Sequence, residues 1–432
     1  MDLHKKIFKG DGGIWTVYFC FCVLSIMEVF SATSTLTYKS GDIWGPITQH
    51  CIYLLMGTVI VVLVHNIPCK WFRVIPPTLG PISIVLLLMV TVTGEMTNGA
   101  KRWIDICGIQ FQPSELGKMA LVVTTALILS RMQTDKGANP KAFKYILGAS
   151  VFVCGLIFRE NGSTALLLFS VIFMMMIIGR VPFRQWSKIV LVGLGVIALF
   201  VGTMKFIPTE TLSSISRRLP TMQSRVNGFF EDKSKVSPQE YDIDKNAQVA
   251  HANIAISRGN IIGRMPGNSV ERDFLSQAFS DFIFAIVLEE LGLAGGVAIV
   301  LLYVILMIRV SRIAKKSSSY FASFLIMGLT LLLVTQAAMN ISVAVGMVPV
   351  TGQPLPFISK GGTSTFINSA YIGMILSVSR YILYKEERAS KQQALIEASP
   401  SQAKAIREEL EQTRQESQEM EDEEEEEEYG EA

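Results

Sequence analysis

The residues best placed to do chemistry in this chain are charged groups set in or beside apolar sequence. In LSQAFSDFIFAIVLEELG, Leu275 to Gly292, Asp281 stands at the threshold of an apolar run and Glu289 and Glu290 stand inside it. Carboxylates are costly in hydrocarbon, so each is a functional candidate whose partner has to be found. Asp281 falls at the first turn of the helix expected there, where capping of free amides is the plainer role. Capping leaves unexplained why Glu271, Arg272 and Asp273 crowd the same approach. Glu289 and Glu290 lie two turns deeper, and adjacent helical positions point about 100° apart. A single partner therefore cannot face both. One is offered as the counter-charge of a buried base such as Lys118, and the other as a protonated or water-reaching group.

Two further segments carry unusual polar sequence. In NGAKRWIDICGIQFQPSELGK, Lys101 and Arg102 are suited to a phosphate or pyrophosphate headgroup through charge-assisted hydrogen bonds. Trp103 beside them is also what an interfacial aromatic belt supplies. Glu115 and Lys118 are three apart and share a helical face, as an ion pair that neutralises itself or as ligand-binding groups. In NISVAVGMVPVTGQPLPFISKGGTSTF, the prolines and glycines exclude a continuous helix. Non-helical backbone near a membrane survives only where protein or water covers it, so a re-entrant or cavity-lining loop is expected. Its amides, with Ser359, Lys360 and Thr363, offer a nest for an anionic group.

The elements that position these residues follow from composition. The chain has 432 residues, 50% of them hydrophobic, and a mean hydropathy of +0.39. Its apolar residues come in blocks long enough to span a bilayer. Ten spans are predicted, near residues 14–32, 47–66, 76–93, 114–131, 145–159, 163–179, 188–206, 282–308, 321–346 and 364–384. The expected architecture is an all-α polytopic membrane protein. Loops such as GRVPFRQWSK and RVSRIAKK are rich in Lys and Arg and alternate with loops that hold few, which places both termini in the cytoplasm. The opposite face then carries the loop after span three, a large segment at about residues 207–280 between spans seven and eight, and the loop before span ten.

Within the large segment, HANIAISRGNIIG is amphipathic and suited to lying along the membrane surface, and MPGNS is a turn. The membrane domain is expected over 1–388, followed at 389–432 by a charged, acidic tail that forms a short helix and then disorder. The net charge of +2 hides this asymmetry and says little about partners. Cys20, Cys22, Cys51, Cys69, Cys107 and Cys154 show neither paired spacing nor a metal pattern and read as packing residues. The basic N-terminus reads as a retained leader to the first span.

Taken together, NGAKRWIDICGIQFQPSELGK, GNSVERDFLSQAFSDFIFAIVLEELG and GMVPVTGQPLPFISKGGTS resemble, in order and spacing, the signature segments of the SEDS family (shape, elongation, division and sporulation). The likeness runs from the first span to about residue 385. It implies a ten-span peptidoglycan glycosyltransferase that polymerises lipid II on the outer face of the cytoplasmic (inner) membrane. It also implies a class B penicillin-binding protein transpeptidase and other division proteins as partners, membrane lipid as surroundings, and no nucleic acid.

By the same resemblance, Asp281 matches the family's catalytic aspartate. Arg102 and Trp103 match its RW pair, Glu115 and Lys118 its PSExxK residues, Gln336 and Asn340 its polar positions before the Pro/Gly loop. Ser359, Gly361 and Gly362 match PFxSxGG; Lys101, Asp273 and Lys360 complete the expected substrate-binding set. The chain departs from the family pattern where SQAFSDFIF replaces PEAHTDFIF, ENGSTA replaces PDxGTA and Lys360 replaces a tyrosine. The SQAxSDFI form resembles the FtsW branch of Bacteroidetes-type bacteria more than the RodA branch, which points to the division septum.

In the chemistry so implied, the 4-hydroxyl of an acetylglucosamine attacks a sugar C1 bearing pyrophosphate. A hydroxyl is a poor nucleophile at neutral pH, so Asp281 is the expected general base. Lys101, Arg102, Lys360 or a divalent cation, Mg or Mn, would stabilise the departing pyrophosphate. A RodA-type elongation polymerase and a lipid II flippase or transporter are the alternatives. A transporter needs a path open alternately to both faces, whereas the unusual residues here cluster on one.

Overall fold

The computed structural model describes residues 8–33, 44–93, 95–97, 100–106, 109–206, 223, 247–275 and 278–397. Cys107, Ser276, Gln277 and the acidic tail beyond 397 lie outside them, as does most of the large segment 207–246. Helices occupy every one of the expected spans. They are α1 (Gly12–Ala32), α2 (Gly45–His65), α3 (Ile75–Thr93), α4 (Pro113–Arg131), α5 (Pro140–Glu160), α6 (Gly162–Ile178) and α7 (Phe183–Phe206). After α8 (Ala247–Gly259) come α9 (Ile283–Lys316), α10 (Tyr320–Ala344) and α11 (Thr363–Glu397). Among the described residues, seven stretches, those of α1, α2, α3 with its preceding 3-10 turn, α5, α9, α10 and α11, are long and apolar enough to cross a membrane. Of the other three expected spans, α4 carries Glu115, Lys118 and Arg131, α6 is apolar but only 17 residues long, and α7 is a 24-residue helix whose residues 187–204 hold one charged residue, Lys188. Asn161 separates α5 from α6 and caps the latter, its side chain accepting from Thr164 N. One helix, α11, runs through residue 388, where the composition changes.

The loop after α3 is not irregular. It forms an antiparallel sheet of β1 (Glu95–Thr97), β2 (Ala100–Ile106) and β3 (Ile109–Phe111), in which Lys101 pairs with Met96 and Ile104 with Phe111. The sheet leads directly into α4, with Pro113 as the first helical residue, where its missing N–H costs nothing.

The span predicted at 282–308 is two helices rather than one. Gly292, at φ 67 and ψ −169, breaks α9 after a first segment in which Ile283 to Glu290 are all buried. The break is filled by backbone from the chain following α8. Leu293 N donates to Asn260 O at 3.0 Å and Ala294 N to Ile261 O at 3.1 Å, while Arg264 N and Met265 N donate to the carbonyls of Glu289 and Glu290 at 3.0 and 2.8 Å. In HANIAISRGNIIG the helix ends at Gly259 and packs one face on α9, burying Ala252 and Ala255. Small residues permit this approach. A Cβ on Gly259 would stand 1.7 Å from Leu288 O, and one on Gly263 (φ +85) would stand 2.2 Å from Glu290 O.

Gly259→Ala is therefore expected to lower stability by about 1–3 kcal/mol or more. Gly148→Ala on α5, where an added Cβ meets nothing within 4 Å, should not. Thermal unfolding in detergent, read side by side, checks the contrast.

Candidate active site

The expectation of a covered, non-helical third loop holds. Between α10 and α11 the chain is non-helical, yet Gln353 and Leu355 to Ser359 are buried, so every polar group there needs an internal partner. Side chains from three helices supply several of them. Gln336 Nε2 on α10 donates to Pro354 O at 3.2 Å, and Asn340 Nδ2, one turn further on, to Gln353 O at 2.7 Å. The Tyr303 hydroxyl on α9 donates to Pro356 O at 2.5 Å, and the Ser25 hydroxyl on α1, itself 2.8 Å from His50 Nε2 on α2, to Ile358 O at 3.0 Å. Phe357 adopts φ 65, a left-handed conformation that costs a non-glycine residue roughly 1–2 kcal/mol. Its ring is stacked on Phe21 and edge-on to Tyr18, with centroids 6.0 and 5.6 Å apart.

This clamped loop in turn holds the segment that carries Asp281. Three consecutive carbonyls each receive a donor: Phe279 O from Lys360 N at 2.9 Å, Ser280 O from Ser359 Oγ at 2.7 Å, and Asp281 O from Asn340 Nδ2 at 2.9 Å. Asp281 is half-buried, and Ser280 Oγ donates to its Oδ1 at 3.1 Å. It lies before the helix rather than in its first turn. The N-cap is Phe282, with no side-chain cap hydrogen bond, and α9 starts at Ile283.

On α4, Glu115 and Lys118 form the expected pair. Lys118 Nζ lies 2.7 Å from Glu115 Oε1 with both side chains buried, and it donates to Gln336 Oε1 at 3.1 Å. Gln336 thus joins the α4 charge pair to the re-entrant loop, and Asn340 joins that loop to Asp281. Two residues of this network were not anticipated. Gln353 Nε2 donates to Thr164 Oγ1 at 2.7 Å, bringing the start of α6 into the site. A polar pair 189 positions apart has no local signature.

The glutamates of α9 depart from expectation. Neither neutralises Lys118, because Glu115 already does. Both instead receive the turn at 267–271: Glu290 accepts from Gly267 N at 3.0 Å and Ser269 N at 3.2 Å, and Glu289 from Ser269 Oγ at 2.5 Å, Val270 N at 3.1 Å and Glu271 N at 3.3 Å. The angular argument assumed a point-like partner; a turn offering successive amides wraps around both carboxylates. Ser31 of α1 also donates to Glu290, and Arg272 donates to the Ser31 hydroxyl at 2.7 Å.

Asp273 sits on the exposed face of the Glu271–Asp273 3-10 turn, its Oδ1 3.8 Å from Arg272 Nε. Lys101, Arg102 and the half-buried Trp103 are consecutive positions of β2, in the sheet that opens α4. Gly361 and Gly362 immediately precede α11, and Thr365 Oγ1 donates to Gly361 O at 2.9 Å and Thr365 N to Gly362 O at 3.2 Å. The amide nest is not formed by Ser359 and Lys360, whose N–H groups are committed to Leu355 O and Phe279 O. The Lys360 ammonium is half-buried, 5.8 Å from the centre of the Phe279 ring, within cation–π range. Burial pulls its pKa below the ordinary lysine value. Among the described residues no group of three or more His, Cys, Asp or Glu side chains is placed to hold a metal ion.

A helical membrane protein with a clamped re-entrant loop, a buried ion pair and a carboxylate at a helix threshold is the class these observations define. The particular family follows from comparison: residues 13–384 match the FtsW, RodA and SpoVE family of cell cycle proteins, and the chain belongs to it. A probable peptidoglycan glycosyltransferase FtsW of Halomonas elongata is 30% identical over 360 residues, covering 82% of this chain and 86% of that protein. The stage V sporulation protein E of Bacillus subtilis is 28% identical over 367 residues, covering 84% and 94%. Among solved structures, a chain of a peptidoglycan synthase complex superposes with a TM-score of 0.66 at 23% identity, covering 86% of this chain and 98% of that one. The rod shape determining protein RodA of Thermus thermophilus does so at 0.58 and 23%, covering 86% and 97%.

Lys118→Met, which strands the buried Glu115 carboxylate, is expected to cost about 3–5 kcal/mol. Adding Glu115→Gln should recover part of the loss, and thermal unfolding of the single and double variants reads both.

Proposed function

We propose that this chain is a peptidoglycan glycosyltransferase that polymerises lipid II into glycan strands on the outer face of the cytoplasmic membrane during cell division. The activity is the one carried in the names of its FtsW relatives. The observation that bears most weight is the clamp on residues 279–281, in which the carbonyls of Phe279, Ser280 and Asp281 each accept a hydrogen bond while Asp281 stays half-buried. Such a carboxylate suits a general base, which must be held within hydrogen-bond reach of the hydroxyl that it deprotonates.

In this reading Asp281 takes the proton of the acetylglucosamine 4-hydroxyl as that oxygen bonds to C1 and the C1–pyrophosphate bond breaks. Undecaprenyl pyrophosphate leaves with added negative charge, and Lys101, Arg102 and Lys360 are the cations assigned to it. Trp103, Glu115, Lys118, Asp273, Gln336, Asn340, Ser359, Gly361 and Gly362 bind substrate or shape its subsites. A class B penicillin-binding protein transpeptidase is the proposed partner, in keeping with a structural relative drawn from a complex that coordinates polymerization and crosslinking. The septum is the proposed site of action.

Purified protein with its partner and labelled lipid II, resolved as glycan chains on a gel, tests the reading. Asp281→Asn should lower polymer yield by about 10²–10⁴-fold with thermal stability and partner binding retained. Normal yield from that variant would overturn the assignment.

A further inference from the structure

The turn that fills the break in α9 carries two of the most exposed large apolar residues on the described surface, Ile261 at 71% and Ile262 at 77%. Its depth can be measured along α9. The first charged residue after the break is Arg309, whose guanidinium lies 3.5 Å from Asp11 at the start of α1, followed by Arg312, Lys315 and Lys316. Leu293, hydrogen-bonded through its N–H to Asn260 O, lies sixteen residues from Arg309, which at 1.5 Å per residue is about 24 Å. The hydrocarbon core of a bilayer is about 30 Å thick. Tilt of α9 only shortens the vertical distance. If the Arg309 side chain snorkels outward from a backbone a few ångströms inside the core, Leu293 still falls at or within the far edge. The chain at 260–265, sequentially part of the large loop, therefore shares the depth of the far leaflet.

Two independent observations agree with that depth. Leu293 is 57% exposed and begins a stripe that continues through Val297, Leu301 and Ile308 along the outside of the spanning part of α9. Ile261 and Ile262, tied to the first turn of that segment through Asn260 O and Ile261 O, extend the stripe by one step. In addition, backbone in hydrocarbon must satisfy its polar groups within the protein. Much of the turn's backbone is bonded in this way: Gly263 N donates to Gly259 O at 2.8 Å, and the amides of Arg264 and Met265 and the carbonyls of Asn260 and Ile261 are each bonded to α9.

We propose that the turn at 260–265 is a lipid-contacting element, with Ile261 and Ile262 inserted among the acyl chains of the leaflet on the Asp281 side of the membrane. Arg264, exposed on the same turn, reaches outward to the headgroups. The turn then joins lipid to the site by a short path. It is bonded to the Glu289 and Glu290 carbonyls, whose side chains hold the 267–271 turn that leads to Asp281. The inference concerns this surface and stands apart from the reaction assigned above.

The test is nitroxide labelling of Ile262→Cys in full-length protein whose native cysteines are replaced by serine, reconstituted in nanodiscs of phosphatidylethanolamine and phosphatidylglycerol. Leu301→Cys serves as the lipid reference and Asn268→Cys as the water reference. The label at 262 should collide with oxygen in preference to a water-soluble nickel chelate, with a ratio like that at Leu301 and several-fold above that at Asn268. Ile261→Cys gives a second reading should the first variant fold poorly. A chelate-accessible label at both positions would overturn the proposal by placing the turn in water, and a label shielded from both reagents would overturn it by showing protein there.

Discussion

The whole arrangement depends on one constraint: a non-helical segment buried in a helical membrane protein must find a partner for every polar group inside the protein. The chain at 353–360 meets it by drawing on α1, α9, α10 and, through Gln353, α6. Each bond is modest, with a net worth of about 0.5–1.5 kcal/mol. The penalty for leaving one unmade is larger, so the set stands or fails together. Asn340 shows this most directly, since its single amide nitrogen bonds both Gln353 O and Asp281 O and thereby sets the distance between the loop and the candidate base.

The same constraint explains the buried carboxylates of α9. Glu289 and Glu290 sit on a short, buried helix that ends at Gly292, and the turn at 267–271 presents its amides to them. Acceptors with two oxygens each are what a tight turn with several unpaired N–H groups requires. Gly259, Gly263 and Gly292 are the other half of that fit, because backbone meets backbone where a side chain would stand. A feature that looks catalytic in sequence is here the internal solvent of a turn.

Much of this was legible because it is local. The i, i+3 spacing of Glu115 and Lys118 predicts their ion pair, and the density of Pro and Gly after α10 predicts a covered, non-helical loop. What was illegible is long-range or geometric. Thr164 and Gln353 carry no mark of each other, and nothing in LEELGLAGG announces that its first glycine, Gly292, breaks the helix while Gly295 and Gly296 continue it. The sheet at 95–111 escaped because its strands are short and polar, with no alternation strong enough to read. Two departures from the family pattern, Phe279 and Lys360, read separately as losses of a histidine and a tyrosine. In the fold they meet as a ring and an ammonium 5.8 Å apart, with a backbone bond between the same two residues.

That pairing bears on why Asp281 stands before the helix and not on it. A carboxylate within the first turn of α9 would be oriented by that helix alone and would spend its oxygens on free amides. Placed at the threshold, its position is set instead by donors from α10 and from the re-entrant loop, acting on the three carbonyls that lead up to it. The backbone is then fixed by elements that also hold Gln336 and, through it, Lys118 and Glu115. Any displacement of the loop moves the candidate base and the buried charge pair together. Preorganised reactive groups need that kind of shared support, because a shift of about 1 Å between a base and its substrate is enough to cost much of the rate.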